Sequence, residues 1–286
     1  MHQTLTAHMV VKNEDKWIWF SIMSIIDKVD QLIIFDNGST DRTVSIIQEI
    51  IKDKGYAEKI IFEVRKDIDI VEFWKLRQEQ IERTKTDYMM VVDGDEIWWE
   101  SSLIELRDIL DREKPELVTT HFVNCGGDIY HYRDSSREHY QIDGIEGAYT
   151  NRVFSMHIEG LHCGGGYGEE GYRDKDNLDI QNHGRKNVFM KRPYLHMSVL
   201  DRSSIARSDL SVSSRKRKLL LQGTYDYTFP ENFHYPEALY LDRPTFVDSP
   251  WKKNRNILRK ITQLLHDIRF GIDKVAKRAR FGEEFL

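Results

Sequence analysis

Cysteine is nearly absent from this chain. Cys125 and Cys163 are the only two in 286 residues, too few for a disulfide framework and in keeping with a reducing compartment. Long apolar runs are also missing. The densest, Trp17 to Ile26, is interrupted by Ser21 and Ser24 and is about half of the 18–20 residues that cross a bilayer. The opening Met1 to His8 lacks the basic-then-apolar pattern of a secretory signal. A cytoplasmic, soluble protein is expected. No excess of positive charge exists either: the net charge is −5, so no nucleic-acid partner is indicated. Neither G-x-G-x-x-G after the first strand nor G-x-x-x-x-G-K-[ST] occurs, which argues against a Rossmann dinucleotide site and a P-loop.

What is present is an ordinary globular composition, 40% hydrophobic and 31% charged, enough for a substantial core. Ala7 to Val11 reads as a first strand, followed by the loop Lys12 to Asp15 and a helical pattern from Trp17. Gln31 to Phe35 is a second buried strand. Ser39 or Thr40 is placed to cap the next helix, whose apolar positions are Val44, Ile47, Ile50 and Ile51. Lys59 to Val64 is a third strand and Val71 to Thr84 a helix. Ser102 and Glu105 have capping-box spacing for another helix through Leu110, and Glu116 to Val123 is a further strand. Strand and helix alternate in this way over about 120 residues, which predicts an α/β fold with a mostly parallel sheet flanked by helices.

The most informative stretch is Tyr88 to Glu96. An apolar run, Tyr88 to Val92, ends in Asp93-Gly94-Asp95-Glu96. On extended backbone Asp93 and Asp95 point to one side, and Gly94 lets another group approach the backbone. Two converging carboxylates repel unless a positive charge lies between them, and a hard divalent cation with oxygen ligands serves that purpose. A solvated acidic turn is the plainer reading of the same residues. Asn13-Glu14 and Asp36-Asn37-Gly38-Ser39 also follow apolar strands directly, so three polar clusters are expected at the carboxyl edge of the sheet, where open α/β sheets bind ligands.

Taken together, Val11-Lys12-Asn13-Glu14, Ile34-Phe35-Asp36-Asn37-Gly38-Ser39-Thr40-Asp41-Arg42-Thr43 and Val92-Asp93-Gly94-Asp95-Glu96 resemble a family 2 glycosyltransferase of the GT-A, D-x-D type over about the first 100 residues. The resemblance implies transfer of a sugar from a nucleotide-sugar, a UDP-sugar above others, to a glycan or lipid-linked acceptor with Mn²⁺ or Mg²⁺. It places Lys12, Asn13 and Glu14 beside the base, and Asp36 on the uracil or ribose. Asp93 falls near the ribose and donor sugar, and Asp95 on the metal. Lys75 or Arg77 would face the donor. Residues 1–124 become the nucleotide-sugar half, 125–200 the acceptor half, and 201–286 a mainly helical extension. Trp98 and Trp99 would stack on a sugar, with core packing the other role for at least one.

Past Asn124 glycine, histidine and tyrosine crowd together, with short strands expected in Tyr149 to His157 and Val188 to His196. An inverting displacement needs a carboxylate base. Glu170 and its neighbour Glu169 are favoured, with Asp143, Glu146 and Asp174 as further candidates. A His-Glu pair of some relatives is not kept, since Cys163 follows His162. His196 resembles a late histidine that can join the metal. Between Trp251 and Arg280, ten Lys or Arg interleave with Ile257, Ile261, Leu264, Leu265, Ile268 and Ile272. This basic amphipathic helix would pack on the domain, lie on an anionic membrane surface or mediate self-association. A nucleotidyltransferase, which also needs paired carboxylates and a metal, and an inactive glycan-binding protein remain as alternatives.

Overall fold

The computed structural model describes residues 2–53, 55–66, 68, 72–165, 171–182, 184–204, 224–253, 263–264 and 266–268. In chain order the elements are β1 (Leu5–Val11), α1 (Ile18–Ile25), β2 (Gln31–Asn37), α2 (Thr43–Asp53), β3 (Ile60–Arg65), α3 (Trp74–Arg83), β4 (Tyr88–Val91), β5 (Glu96–Trp98) and α4 (Glu100–Glu113). There follow β6 (Leu117–Gly126), β7 (Asp128–Tyr132), β8 (Tyr140–Ile142), β9 (Ile145–Gly147), β10 (Tyr149–Ser155), β11 (His162–Gly164), β12 (Gly171–Arg173), β13 (Asn187–Phe189), β14 (Tyr194–His196) and β15 (Tyr227–Thr228).

The main sheet runs β15-β7-β6-β10-β4-β1-β2-β3, with β13 and β14 joining at β6 and β5 pairing with β14. Strands β4, β1, β2 and β3 are mutually parallel, whereas β10 runs antiparallel to both β4 and β6. This is the α/β architecture expected from the alternating pattern. The strands of its centre are buried on both faces, and their side chains sort by period two. Leu5, Ala7, Met9 and Val11 share a cluster with Phe20, Ile47 and Leu106 from α1, α2 and α4. On the other face Val10, Ile33 and Phe35 pack with Leu76 of α3.

Local capping differs from the sequence expectation at two helices. The Asp41 carboxylate, rather than Ser39 or Thr40, takes the Thr43 N–H at 2.8 Å and the Thr43 hydroxyl at 2.5 Å. Helix α4 starts at Glu100, so Ser102 lies within it and spends its hydroxyl on the Pro193 carbonyl at 2.7 Å. Glu105 accepts the Lys191 and Arg192 N–H groups. Long-range partners outcompeted the local capping box at these positions. Within the extension, residues 224–253 carry β15 and a 3-10 turn at Glu237–Tyr240, in keeping with the breaks expected at Gly223–Pro236, Pro244 and Pro250. Strand β15 pairs with β7 and so belongs to the main sheet. A Cβ on Gly126 would stand 2.5 Å from the Thr224 carbonyl oxygen, so that glycine is what lets the segment lie against the end of β6. Of the basic helix, only 251–253, 263–264 and 266–268 fall among the described residues, and 263–264 and 266–268 are helical. No described helix is long and apolar enough to cross a membrane.

Gln80 of α3 is fully buried and donates to the Met9 and Ile33 carbonyls at 2.8 and 3.0 Å, tying the helix to β1 and β2. Gln80→Ala is expected to cost about 1–3 kcal/mol by leaving those contacts unmade, measured as a lower midpoint in urea unfolding at unchanged slope.

Candidate active site

Because β4, β1 and β2 are adjacent and parallel, their carboxyl ends fall side by side, and each ends in the polar cluster read from the sequence. Asn13 is held at a positive φ of 55°, a conformation Asn adopts more readily than most residues. Its backbone N–H donates to Ser39 Oγ at 2.8 Å and its Oδ1 accepts the Thr40 N–H at 2.8 Å. The loops after β1 and β2 therefore lock each other. Asp36 is fully buried; Oδ1 accepts the Ser39 N–H at 2.9 Å, while Oδ2 is enclosed without a hydrogen-bond partner. Lys12, beside them, is half-buried. Asp15 is buried too, accepting from Arg42 Nε at 3.0 Å and from the Ser204 N–H at 2.8 Å.

The space beside Gly94 is occupied by protein. A Cβ there would lie 2.9 Å from Glu14 Cγ and 3.2 Å from Val11 Cγ1, so the glycine admits the Glu14 side chain, not a ligand. Glu14 Oε1 pairs with Arg202 Nη1 at 2.8 Å, and Oε2 is enclosed with no hydrogen-bond partner. Arg202 also stands 3.9 Å from Asp95 Oδ2. On the opposite side of Asp95, His196 Nε2 is 3.6 Å from Oδ1, beyond hydrogen-bond range. His196 is brought there by β14, whose pairing sets it beside Glu96 of β5 and Asn124 of β6. Among the described residues no group of three or more His, Cys, Asp or Glu is assembled for a metal. Asp95 and His196 form a two-membered set of oxygen and nitrogen donors.

Asp93 sits between two guanidiniums, with Arg77 Nη2 3.1 Å from Oδ1 and Arg152 Nη2 3.3 Å from Oδ2. Burial works to raise its pKa, but Arg152 and Arg77 outweigh that and hold the carboxyl below the usual range. Arg152 also donates to Glu96 Oε1 and to the Tyr194 hydroxyl at 3.0 Å. Burial pushes Glu96 and Glu14 well above the ordinary carboxylate value, against the pull of Arg152 and Arg202 respectively.

Several expected residues are placed elsewhere. Arg77 faces the cluster, but Lys75, two positions along α3, is exposed and paired with Glu72. Trp98 is 1% exposed and stacked on Tyr194 at 4.7 Å, so it offers no face to a sugar. Trp99 donates its indole N–H to the His234 carbonyl. Asp174 accepts the Asp176 and Leu178 N–H groups and pairs with Arg185. Asp143, in the β8–β9 turn, accepts from Asn187 at 2.7 Å. Glu169 and Glu170 lie outside the described residues. Arg152, Tyr194 and Arg202 were not anticipated. Arg152 alone left a trace, as a charge inside the strand sequence Tyr149 to Ser155.

Glu14, with a folded-state pKa above its unfolded value of about 4.3, contributes stability that is present at low pH and lost as pH rises through the folded value. Replacing Glu14 by Gln removes this dependence. The melting temperature of Glu14→Gln relative to the parent chain is therefore expected to rise from pH 4.5 to pH 8, as followed by circular dichroism.

The sequence model of glycosyl transferase family 2 matches residues 6–168, more than half of the chain. No curated protein matches it. Among solved structures, S. aureus TarS is similar over 68% of this chain and 60% of its own, with a TM-score of 0.44 and 12% identity. Glucosyl-3-phosphoglycerate synthase from Mycobacterium tuberculosis, in complex with Mn²⁺ and UDP-glucose, is similar over 58% of this chain and 61% of its own, with a TM-score of 0.39 and 20% identity. The chain thus spans about 60% of the length of these solved chains. The family match takes in all three strand-end clusters, with Asn13, Asp36, Asp93 and Asp95 inside it: the chain belongs to glycosyl transferase family 2.

Proposed function

We propose that this protein transfers a sugar from a nucleoside-diphosphate sugar, a UDP-sugar foremost, to a hydroxyl of a glycan or lipid-linked acceptor, with inversion and with a divalent cation. The observation that carries this reading is the facing of Asp95 and His196 across 3.6 Å at the shared end of β4, β5 and β14. The carboxylate suits Mn²⁺ or Mg²⁺, the imidazole beside it favours Mn²⁺ over the strictly oxygen-seeking Mg²⁺, and a two-residue set leaves the remaining positions to diphosphate and water. A cation held there would neutralise charge developing on the leaving diphosphate.

The chain's own groups then divide the work. Asp93, kept ionised by Arg77 and Arg152, accepts hydrogen bonds from ribose or donor-sugar hydroxyls. Arg77 and Arg152 fix its orientation. Asp36 shapes the Gly38–Ser39 turn through the Ser39 N–H, and its second oxygen, without a hydrogen-bond partner, is an acceptor left for the nucleotide. Lys12, Asn13 and Glu14 border the base along the interlocked loops. Trp98 supports Tyr194 from within the core instead of stacking on substrate.

A thermal-shift panel of UDP-, GDP-, dTDP- and CMP-sugars with and without Mn²⁺ tests the reading. One nucleotide class is expected to raise the melting temperature by about 5–10 °C at saturation, only with the cation. Asp95→Ala is expected to lose that rise and the transfer activity while melting close to the parent chain in the absence of ligand. Full transfer by Asp95→Ala would sink the proposal, and stabilisation by nucleoside triphosphates alone would replace it with nucleotidyl transfer.

A further inference from the structure

We infer that the cavity beside this site seats the acceptor as a saccharide, and that Glu138 takes the proton from its reacting hydroxyl. The inference rests on the transfer reading above. The cavity, of about 580 Å³, opens between β6, β7 and the start of β10. It shares a wall with the carboxylate cluster. Phe122 lines it and lies edge-on to His196 at 5.5 Å and beside Tyr194 at 5.9 Å. Asn124 lines it as well, is paired in register with His196, and donates from Nδ2 to Glu138 Oε1 at 2.8 Å. Contact therefore runs without a break from Asp95 through His196 and Asn124 to Glu138.

The lining matches the chemistry of a pyranose, which has apolar C–H faces and a rim of hydroxyls. His121 and Tyr149 stack on each other at 5.5 Å in the wall, and Tyr227 closes another side. Three carboxylates reach the cavity, and their partners separate them. Asp134 is committed to the Ser136 N–H and the Tyr227 hydroxyl. Glu146 is about half exposed and bound to His139 on the outer hairpin. Glu138 is half-buried, and its carboxylate is held only by Asn124 among the described residues. An amide N–H donor leaves that carboxylate free to accept a proton. In the reaction, the acceptor oxygen bonds to the anomeric carbon of the donor as the bond from that carbon to the diphosphate oxygen breaks. The nucleoside diphosphate leaves with the bonding pair, and the acceptor's proton passes to Glu138.

Two measurements test the assignment. Saturation-transfer NMR with the methyl glycosides of glucose, galactose, mannose and N-acetylglucosamine, at millimolar concentration and without donor, is expected to show at least one binding the native chain. Tyr149→Ala should abolish that signal. Saccharide-stimulated release of nucleoside diphosphate should fall roughly 100-fold or more in Glu138→Gln, with the saccharide KM and the donor-dependent melting shift unchanged. A silent NMR panel, a native rate in Glu138→Gln, or loss of its donor-dependent melting shift would each overturn the inference. Failure of the transfer reading is distinct, because native protein would then show no donor-dependent shift at all.

Discussion

Four carboxylates crowded at the end of one parallel sheet set the terms for everything around them. Glu14 follows β1, Asp93 and Asp95 follow β4 and Glu96 opens β5, and like charges held together in a partly dehydrated edge are costly unless matched. The chain matches them with guanidiniums drawn from distant segments: Arg77 from α3, Arg152 from β10 and Arg202 from beyond β14. Arginine suits the task because its charge is permanent and its fork spans two acceptors, as Arg152 does between Asp93 and Glu96. The sheet order follows from the same need. Placing β10 next to β4 puts Arg152 over the cluster, and wedging β14 between β5 and β6 brings His196 to Asp95.

What the sequence made legible was local. A strand followed at once by acids is visible in any window, and the order of strands β1, β2 and β4 turned three such windows into one edge. Asp36, Asp93 and Asp95 stand where that pattern put them. Charge compensation is not local: Arg152 and Asp93 are 59 residues apart, and no periodicity links them. Lys75 and Arg77 were left as equals by the sequence. Two positions along a helix point to nearly opposite sides, so only one of them faces the cluster, and the packing of Leu76 on the sheet decides which.

The caps and the aromatics were decided by the same cause. Ser102 and Glu105 have the spacing of a capping box, yet both serve the segment between β13 and β14, some 90 residues later. Trp98 follows the acidic turn closely enough to suggest a sugar platform, but alternation along β5 turns it into the core against Tyr194. Spacing reveals which partnerships are available within a few residues, and tertiary packing selects among those and all the rest.

The contact between Gly126 and Thr224 has a consequence for how the molecule comes into being. Strands β1 to β4 and their helices lie within the first third of the chain and can pair as soon as that third has left the ribosome. The wall holding Tyr227 cannot close until the segment that begins at Thr224 arrives to fill the gap kept open by Gly126. The carboxylate edge is thus the older part of each newly made copy. The neighbouring cavity gains its shape only once that later segment has been made.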